Sequence, residues 1–198
     1  ITPPTIDSIL ITSATGIQSS TLNEGDVVSV TVTTSEATYV TGTPQLTLNI
    51  GGALVQANYL SGDGTTDLVF TYTILASQTD ADGISIAANS LSLNGGTLQD
   101  AAGNAATLTH DAVTDNSGYL VDTTAPAVSS VAITGATGIV GSTLNAGDVV
   151  SVTVHMSETT TVTGTPQLAL NIGGSTVQAH YAYSSGTTDL VFTYTIQA

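Results

Sequence analysis

Apolar and polar side chains alternate with a period of two along almost the whole chain. In Val28-Ser29-Val30-Thr31-Val32-Thr33 the valines fall on one face and the hydroxyls on the other. Leu46, Leu48 and Ile50 alternate with Gln45, Thr47 and Asn49. Leu68, Phe70, Tyr72 and Ile74 alternate with Val69, Thr71 and Thr73. Each run predicts an antiparallel strand with one dry face. Val, Ile, Thr and Tyr suit such strands, and no segment carries a helical stripe.

Turn residues divide the runs. Gly51-Gly52 predicts a tight turn between Leu46–Ile50 and Leu54–Tyr59, and Gly62-Asp63-Gly64 predicts the next. Asp80-Ala81-Asp82-Gly83 precedes Ile84–Ile86; Asn94-Gly95-Gly96 and Asp100–Asn104 break up the rest. With Ile6–Thr12 as the first strand, about seven or eight strands result, the number of an immunoglobulin-like sandwich. Val28, Val30, Val32, Leu46, Leu48, Phe70 and Tyr72 are its predicted core.

The pattern is written twice. ATGIQSSTLNEGDVVSVTV, from Ala14, returns as ATGIVGSTLNAGDVVSVTV, from Ala136, and GTTDLVFTYTI at Gly64 returns at Gly186. One offset of 122 residues relates Gly25 to Gly147 and Asp67 to Asp189. That period is a whole domain, too long for a solenoid unit. Residues 1–122 therefore read as one complete module. Residues 123–198 read as the N-terminal part of a second, ending at the counterpart of Ala76. The expected fold class is all-β: tandem antiparallel immunoglobulin-like β-sandwiches, the second incomplete. Val150, Val152, Leu168, Leu170, Phe192 and Tyr194 are expected to face water unless further polypeptide or another chain closes that module.

Charge narrows the function. The sequence has no Lys, no Arg, no Cys and fifteen acidic residues, for a formal net charge of −15. Phosphate contacts need Lys or Arg, so nucleic acid is excluded as a partner, and anionic membrane surfaces with it. No window approaches the ~18 apolar residues of a membrane span, so direct membrane insertion is not expected. Unpaired carboxylates repel one another unless something binds them. Calcium, which takes six to eight oxygen ligands, is the expected cofactor.

The combination TLNxGDVVSVTV, GTPQLxLNIGG, TDLVFTYTI, DAAGNAA and VDTTAP resembles the tandem bacterial immunoglobulin-like repeats of giant RTX and Bap-type Gram-negative surface adhesins. The resemblance covers the whole chain. It implies extracellular stalk repeats on a bacterial cell surface, serving attachment or biofilm formation. It also implies calcium at module junctions, neighbouring repeats of the same polypeptide as partners, and adhesive ligands bound by domains outside these residues.

Strand direction sorts the loops. Asn23–Asp26, Gly51-Gly52 and Asp80–Asp82 fall at the pole from which Asp122 leaves. The loop holding Glu36, the turn holding Asp63 and Asp100–Asn104 fall at the other. Glu24, Asp26, Asp80, Asp82 and Asp122 are the candidate metal ligands, facing Glu158 of the next module, with Asp122 bridging. Ordinary acidic turns are the plain alternative. Ala146 stands where the first copy has Glu24, while Asp26 recurs as Asp148. Asp100–Asn104 is expected to close a hairpin rather than to hold metal.

No catalytic residues are assigned. His155 replaces Thr33, His180 replaces Asn58 and His110 is alone. No nucleophile, base and orienting group recur together. The chain is not expected to be an enzyme. A subunit of a surface layer or extracellular filament, or a ligand-binding immunoglobulin-like module, are the rival readings.

Overall fold

The computed structural model describes residues 2–198, and among them no helix forms. The chain divides into two compact units, Ile1–Thr124 and Ala125–Ala198.

The first unit opens with β1 (Ile6–Thr15), β2 (Thr21–Leu22) and β3 (Val27–Thr41). Then come β4 (Gln45–Ile50), β5 (Ala53–Ser61) and β6 (Thr65–Thr73). Four short strands complete it: β7 (Thr79–Asp80), β8 (Leu91–Ser92), β9 (Thr97–Gln99) and β10 (Leu120–Asp122). The larger sheet runs β1-β3-β6-β5-β4-β8, with β9 on the far end of β3; the smaller runs β2-β10-β7. All pairs are antiparallel except β10 on β2, which is parallel. The sequence anticipated no parallel pair.

The period-two pattern becomes burial directly. Val28, Val30, Val32, Leu46, Leu48 and Phe70 are fully enclosed, as their alternation predicts. Leu22 and Val121 bring the smaller sheet into the same core, and Ile84, Ile86, Leu91 and Leu98 arrive from the segment after β6. Each fully buried side chain of this size contributes about 1.5–3 kcal/mol. Tyr72 differs from expectation: it is half-buried at the rim. Its hydroxyl needs a polar partner and takes one from Gln78 Nε2 at 2.9 Å.

Two readings of the strands change. Glu36 is not in a loop between strands but inside β3, at a register break between Thr33 and Thr38. Such a bulge bends the strand. Here the Glu36 carbonyl accepts from both Thr34 Oγ1 at 2.8 Å and Thr38 Oγ1 at 3.0 Å, and both threonines are buried. The bent strand pairs with β1 and β6 before the bulge; after it, Thr38 still pairs with Thr65 of β6, and Tyr39–Thr41 goes to β9. Ile84–Ile86 makes only isolated bridges, Ser85 to Asn49 and Ile86 to Val113.

The second unit contains β11 (Val128–Thr137), β12 (Val149–Thr160), β13 (Gln167–Ile172), β14 (Ser175–Tyr183) and β15 (Thr187–Thr195). Its single sheet runs β11-β12-β15-β14-β13. The register copies the first unit: Val28 opposes Tyr72 and Val150 opposes Tyr194; Thr33 opposes Asp67 and His155 opposes Asp189. The aromatic pairs Tyr59–Phe70 and Tyr181–Phe192 share one edge-on geometry, 5.8 Å and 71°. Exposure does not follow the expected list. Val150, Val152 and Phe192 are buried, and Leu168, Leu170 and Tyr194 are half-buried. β12 lies between two neighbours, so Ile133 and Phe192 flank Val152. Water reaches the rim instead, at Val131, Ile133, Ile139 and Val140.

Candidate metal centre

Asp80 is held by what surrounds it. Asp80 is 3% exposed, and both its oxygens accept backbone amides, Gly51 N–H at 2.8 Å and Gly83 N–H at 2.8 Å. The carboxylate thus ties the β4–β5 turn to the start of the closing segment. Gly51 has φ +54° and lies so close to the Thr79 carbonyl that a Cβ would overlap it. The turn and β7 meet only because a glycine stands there.

Asp26 closes its own turn. Its Oδ2 accepts the Asn23 amide at 2.7 Å, and its Oδ1 lies where a Cβ on Gly16 would sit. The second unit repeats this with Asp148, Asn145 at 2.7 Å and Gly138. Between them Glu24 is exposed, which fits its replacement by Ala146. The turn needs the aspartate and the glycines and makes no use of the residue at 24.

Asp122 is half-buried on β10, beside Thr79 of β7. Its Oδ1 accepts the Thr124 amide at 2.9 Å. A hollow of about 380 Å³ opens here, lined by Asp80, Asp122, Thr79, Thr21 and Leu120. Asp82 is exposed, and its carboxyl titrates above the ordinary range. The main cause is a hydrogen bond shared with Asp80; a backbone bond opposes it, and repulsion from Asp115 and Asp80 adds to it. Asp115 was not singled out from the sequence. It lies 33 residues beyond Asp82 in a stretch with no second copy to compare.

The structure therefore gathers Asp80, Asp82 and Asp122, with Asp115, at one end of the first unit. Asp26 and Glu24 sit by the end of β6, where Gly25 N–H donates to the Ile74 carbonyl at 2.9 Å. Glu158 lies in β12; its carbonyl accepts Thr160 Oγ1 at 3.0 Å, and its Oε1 is enclosed without a hydrogen-bond partner. Among the described residues, no three His, Asp or Glu side chains converge on one point. The donor chemistry suits a hard cation: Asp82, Asp115 and the second oxygen of Asp122 are carboxylates in a sequence with no Lys or Arg. Asp80 is already committed to the backbone.

Two other predicted positions have structural roles. In Asp100–Asn104 the Asp100 oxygens accept the Ala102 and Asn104 amides at 2.8 Å and Asn104 Nδ2 at 2.6 Å. The Asn104 side chain, with backbone amides behind it, holds the Asp100 carboxyl below the ordinary range against the opposing effect of burial. His110 is not idle: Ser90 N–H donates to its Nε2 at 2.9 Å, and its Nδ1 lies 2.7 Å from the Asp111 carbonyl. It clamps the loop before β8. No protein-family model matches the chain, and no curated protein matches it.

Proposed function

We propose that these are immunoglobulin-like extender repeats of a secreted bacterial surface adhesin, built to hold a distal binding region away from the cell and not to catalyse. The supporting observation is repetition at the level of geometry. Strand register, the Asp26 and Asp148 turns, and the edge-on aromatic pairs recur without adjustment. A module that must bind a ligand diverges at one cluster of loops. Here the differences are spread along the strands, and at two of them one outward polar contact replaces another. Thr33 Oγ1 donates to Asp67 at 3.0 Å, and His155 Nδ1 meets Asp189 at 2.6 Å. Gln45 Nε2 donates to Asn58 at 3.0 Å, and Gln167 Nε2 lies 3.4 Å from His180 Nδ1.

Calcium is part of this reading. Asp122 and Asp82 are its first ligands from the first unit, with carbonyls and water filling the shell. The cation would compete with the proton that the hydrogen bond to Asp80 chiefly holds on Asp82, and would offset the lesser repulsion from Asp115 and Asp80. Extracellular calcium modules bind at about 10⁻⁴–10⁻³ M. The test is calorimetry and hydrodynamic radius of the 198-residue chain, with calcium and with EDTA. EDTA should change the radius more than it lowers the melting temperature, and Asp122→Ala should copy EDTA. An unchanged radius and melting curve would remove calcium from the account.

A further inference from the structure

Asn94-Gly95 is the one Asn-Gly step in the sequence. It stands at the centre of a tight turn: Asn94 has φ +47° and Gly95 φ +79°, and Gly96 N–H closes the turn on the Leu93 carbonyl at 2.8 Å. Positive φ at both central residues marks a type I′ turn, which Asn-Gly suits. Both residues are exposed. A Cβ placed on Gly95 would meet nothing within 4 Å, and among the described residues the Gly95 amide has no hydrogen-bond partner. The two Asp-Gly steps differ: Gly64 N–H is held by the Thr38 carbonyl at 3.0 Å, and Gly83 N–H by Asp80 at 2.8 Å. Asn94 also has a task. Its Nδ2 donates to the Thr43 carbonyl at 3.2 Å, tying the turn to the connection between β3 and β4. Beside that tie the Thr41 and Thr97 hydroxyls share a hydrogen bond at 2.7 Å, and Tyr39–Thr41 pairs with Thr97–Gln99.

We propose that Asn94 is a site of spontaneous covalent modification, in which the Gly95 nitrogen attacks the Asn94 side chain and the turn comes loose from the end of β3. The Gly95 amide gives up its proton, and its nitrogen bonds to Asn94 Cγ. The Cγ–Nδ2 bond breaks and ammonia leaves, so that a cyclic succinimide joins the two residues. Water then opens the ring. Cleavage of the new N–Cγ bond leaves aspartate. Cleavage between that nitrogen and the Asn94 backbone carbonyl carbon leaves isoaspartate, with the chain running through the side chain. The net change is amide plus water to carboxylic acid plus ammonia, and water is the only co-reactant. Ring closure needs rotation about the Asn94 Cα–C bond, which a following residue without Cβ, standing in open space, permits. Either product loses the Nδ2 donor and sets a carboxylate oxygen against the Thr43 carbonyl. Isoaspartate also lengthens the backbone by a methylene, which a tight turn cannot absorb. The new acid adds to a net charge of −15, with no Lys or Arg to receive it.

The test ages the 198-residue chain at neutral and mildly alkaline pH and reads each asparagine by peptide mass and isoaspartate analysis. Asn94 should convert before Asn23, Asn104 or any other asparagine, with isoaspartate among its products and ammonia released in equal amount. Conversion should quicken as pH rises, because the attacking nitrogen must shed its proton. Amide exchange over Tyr39–Thr41 and Thr97–Gln99 should speed up in step with conversion, while exchange in β12 and β15 stays constant. Asn94→Gln, whose longer side chain closes a ring far less readily, should hold mass and exchange unchanged on ageing. Asn94→Asp should show the faster exchange from the outset. Conversion spread evenly over the asparagines overturns the site, and conversion at Asn94 with unchanged exchange in β9 overturns the release. Neither outcome depends on calcium or on the adhesin reading.

Discussion

The two units have nearly the same sequence through the first six strand positions, the same register and the same aromatic pair, yet they treat equivalent side chains differently. Ile11 is 9% exposed and Ile133 is 76% exposed. β3 runs fifteen residues and β12 twelve. The difference teaches which features are local to the sheet. Cross-strand pairing of Val28 with Tyr72, or Val150 with Tyr194, needs only the neighbouring strands. Burial at the rim and the ends of strands need Ser77–Asp122.

Truncation of equivalent isoleucines tests this most severely. Ile11→Ala should cost about 2–5 kcal/mol, the range for emptying a packed site. Ile133→Ala should fall within about 0.5 kcal/mol, as for an exposed position. Exchange or chemical-shift probes in each unit are the right measurement, because two units need not unfold as one transition. Equal losses would break the comparison.

A smaller effect is expected from Asp80→Ala. Gly83 is buried, so its amide would lose the Asp80 acceptor at a cost of about 1–3 kcal/mol. The Gly51 amide is exposed and can turn to water. Loss should be confined to the first unit, since the second has no counterpart of Asp80. A loss spread equally over both units would mean that the units are not separate in stability. If Asp80→Ala instead leaves stability unchanged and halves calcium affinity, Asp80 is a ligand and the backbone reading of it is wrong.

The sequence was most legible where burial follows a simple period. Val28, Val30, Val32, Leu46, Leu48 and Phe70 needed only alternation to be placed. The turns at Gly51-Gly52 and Asp63-Gly64 needed only their residues. Glu36 misled because a charged residue between hydroxyls reads as a loop. Buried Thr34 and Thr38 satisfy the bulge from within, and no periodicity announces that. The parallel pairing of β10 with β2 joins residues about a hundred positions apart, beyond the reach of a local pattern. At the candidate centre, strand direction assigned Asp80, Asp82 and Asp122 to one pole, but among the described residues no three such side chains converge on one point. The prior engagement of Asp80 by two amides was not legible, since acidic turn residues and acidic ligands look alike in one dimension.

Acid sharpens the comparison further, because Asp82 and Asp100 both lie in the segment that the second unit lacks. The raised Asp82 group binds its proton more tightly folded than unfolded. Its ionisation therefore opposes folding at neutral pH, and this opposition fades as pH falls through the folded value toward about 3.9. The lowered Asp100 group acts oppositely. Its support is full above about 3.9 and is lost as pH falls through the lower, folded value. Mild acid should thus stabilise the first unit slightly before stronger acid weakens it. Asp82→Asn should remove the first phase and Asp100→Asn the second, as read by melting temperature against pH without calcium. The second unit should show neither phase; finding both phases there would assign them to other groups.

The smallest effect should come from moving one copy's residue into the other. Thr33 and His155 occupy the same register position, each opposite an aspartate on the neighbouring strand, Asp67 or Asp189. Each offers that aspartate a hydrogen bond across the outer face of the sheet. His155 and Asp189 are 39% and 57% exposed, so water competes for the pair and screens it. Thr33→His should then change the stability of the first unit by no more than about 0.5 kcal/mol at neutral pH. Removing the acceptor as well, with Thr33→His and Asp67→Ala together, completes a double-mutant cycle whose coupling should stay below about 1 kcal/mol. Thermal unfolding of the three variants reads both numbers. A coupling several times larger would mean that this outer-face pair is a specific recognition feature, and that the differences between repeats are not interchangeable surface bonds.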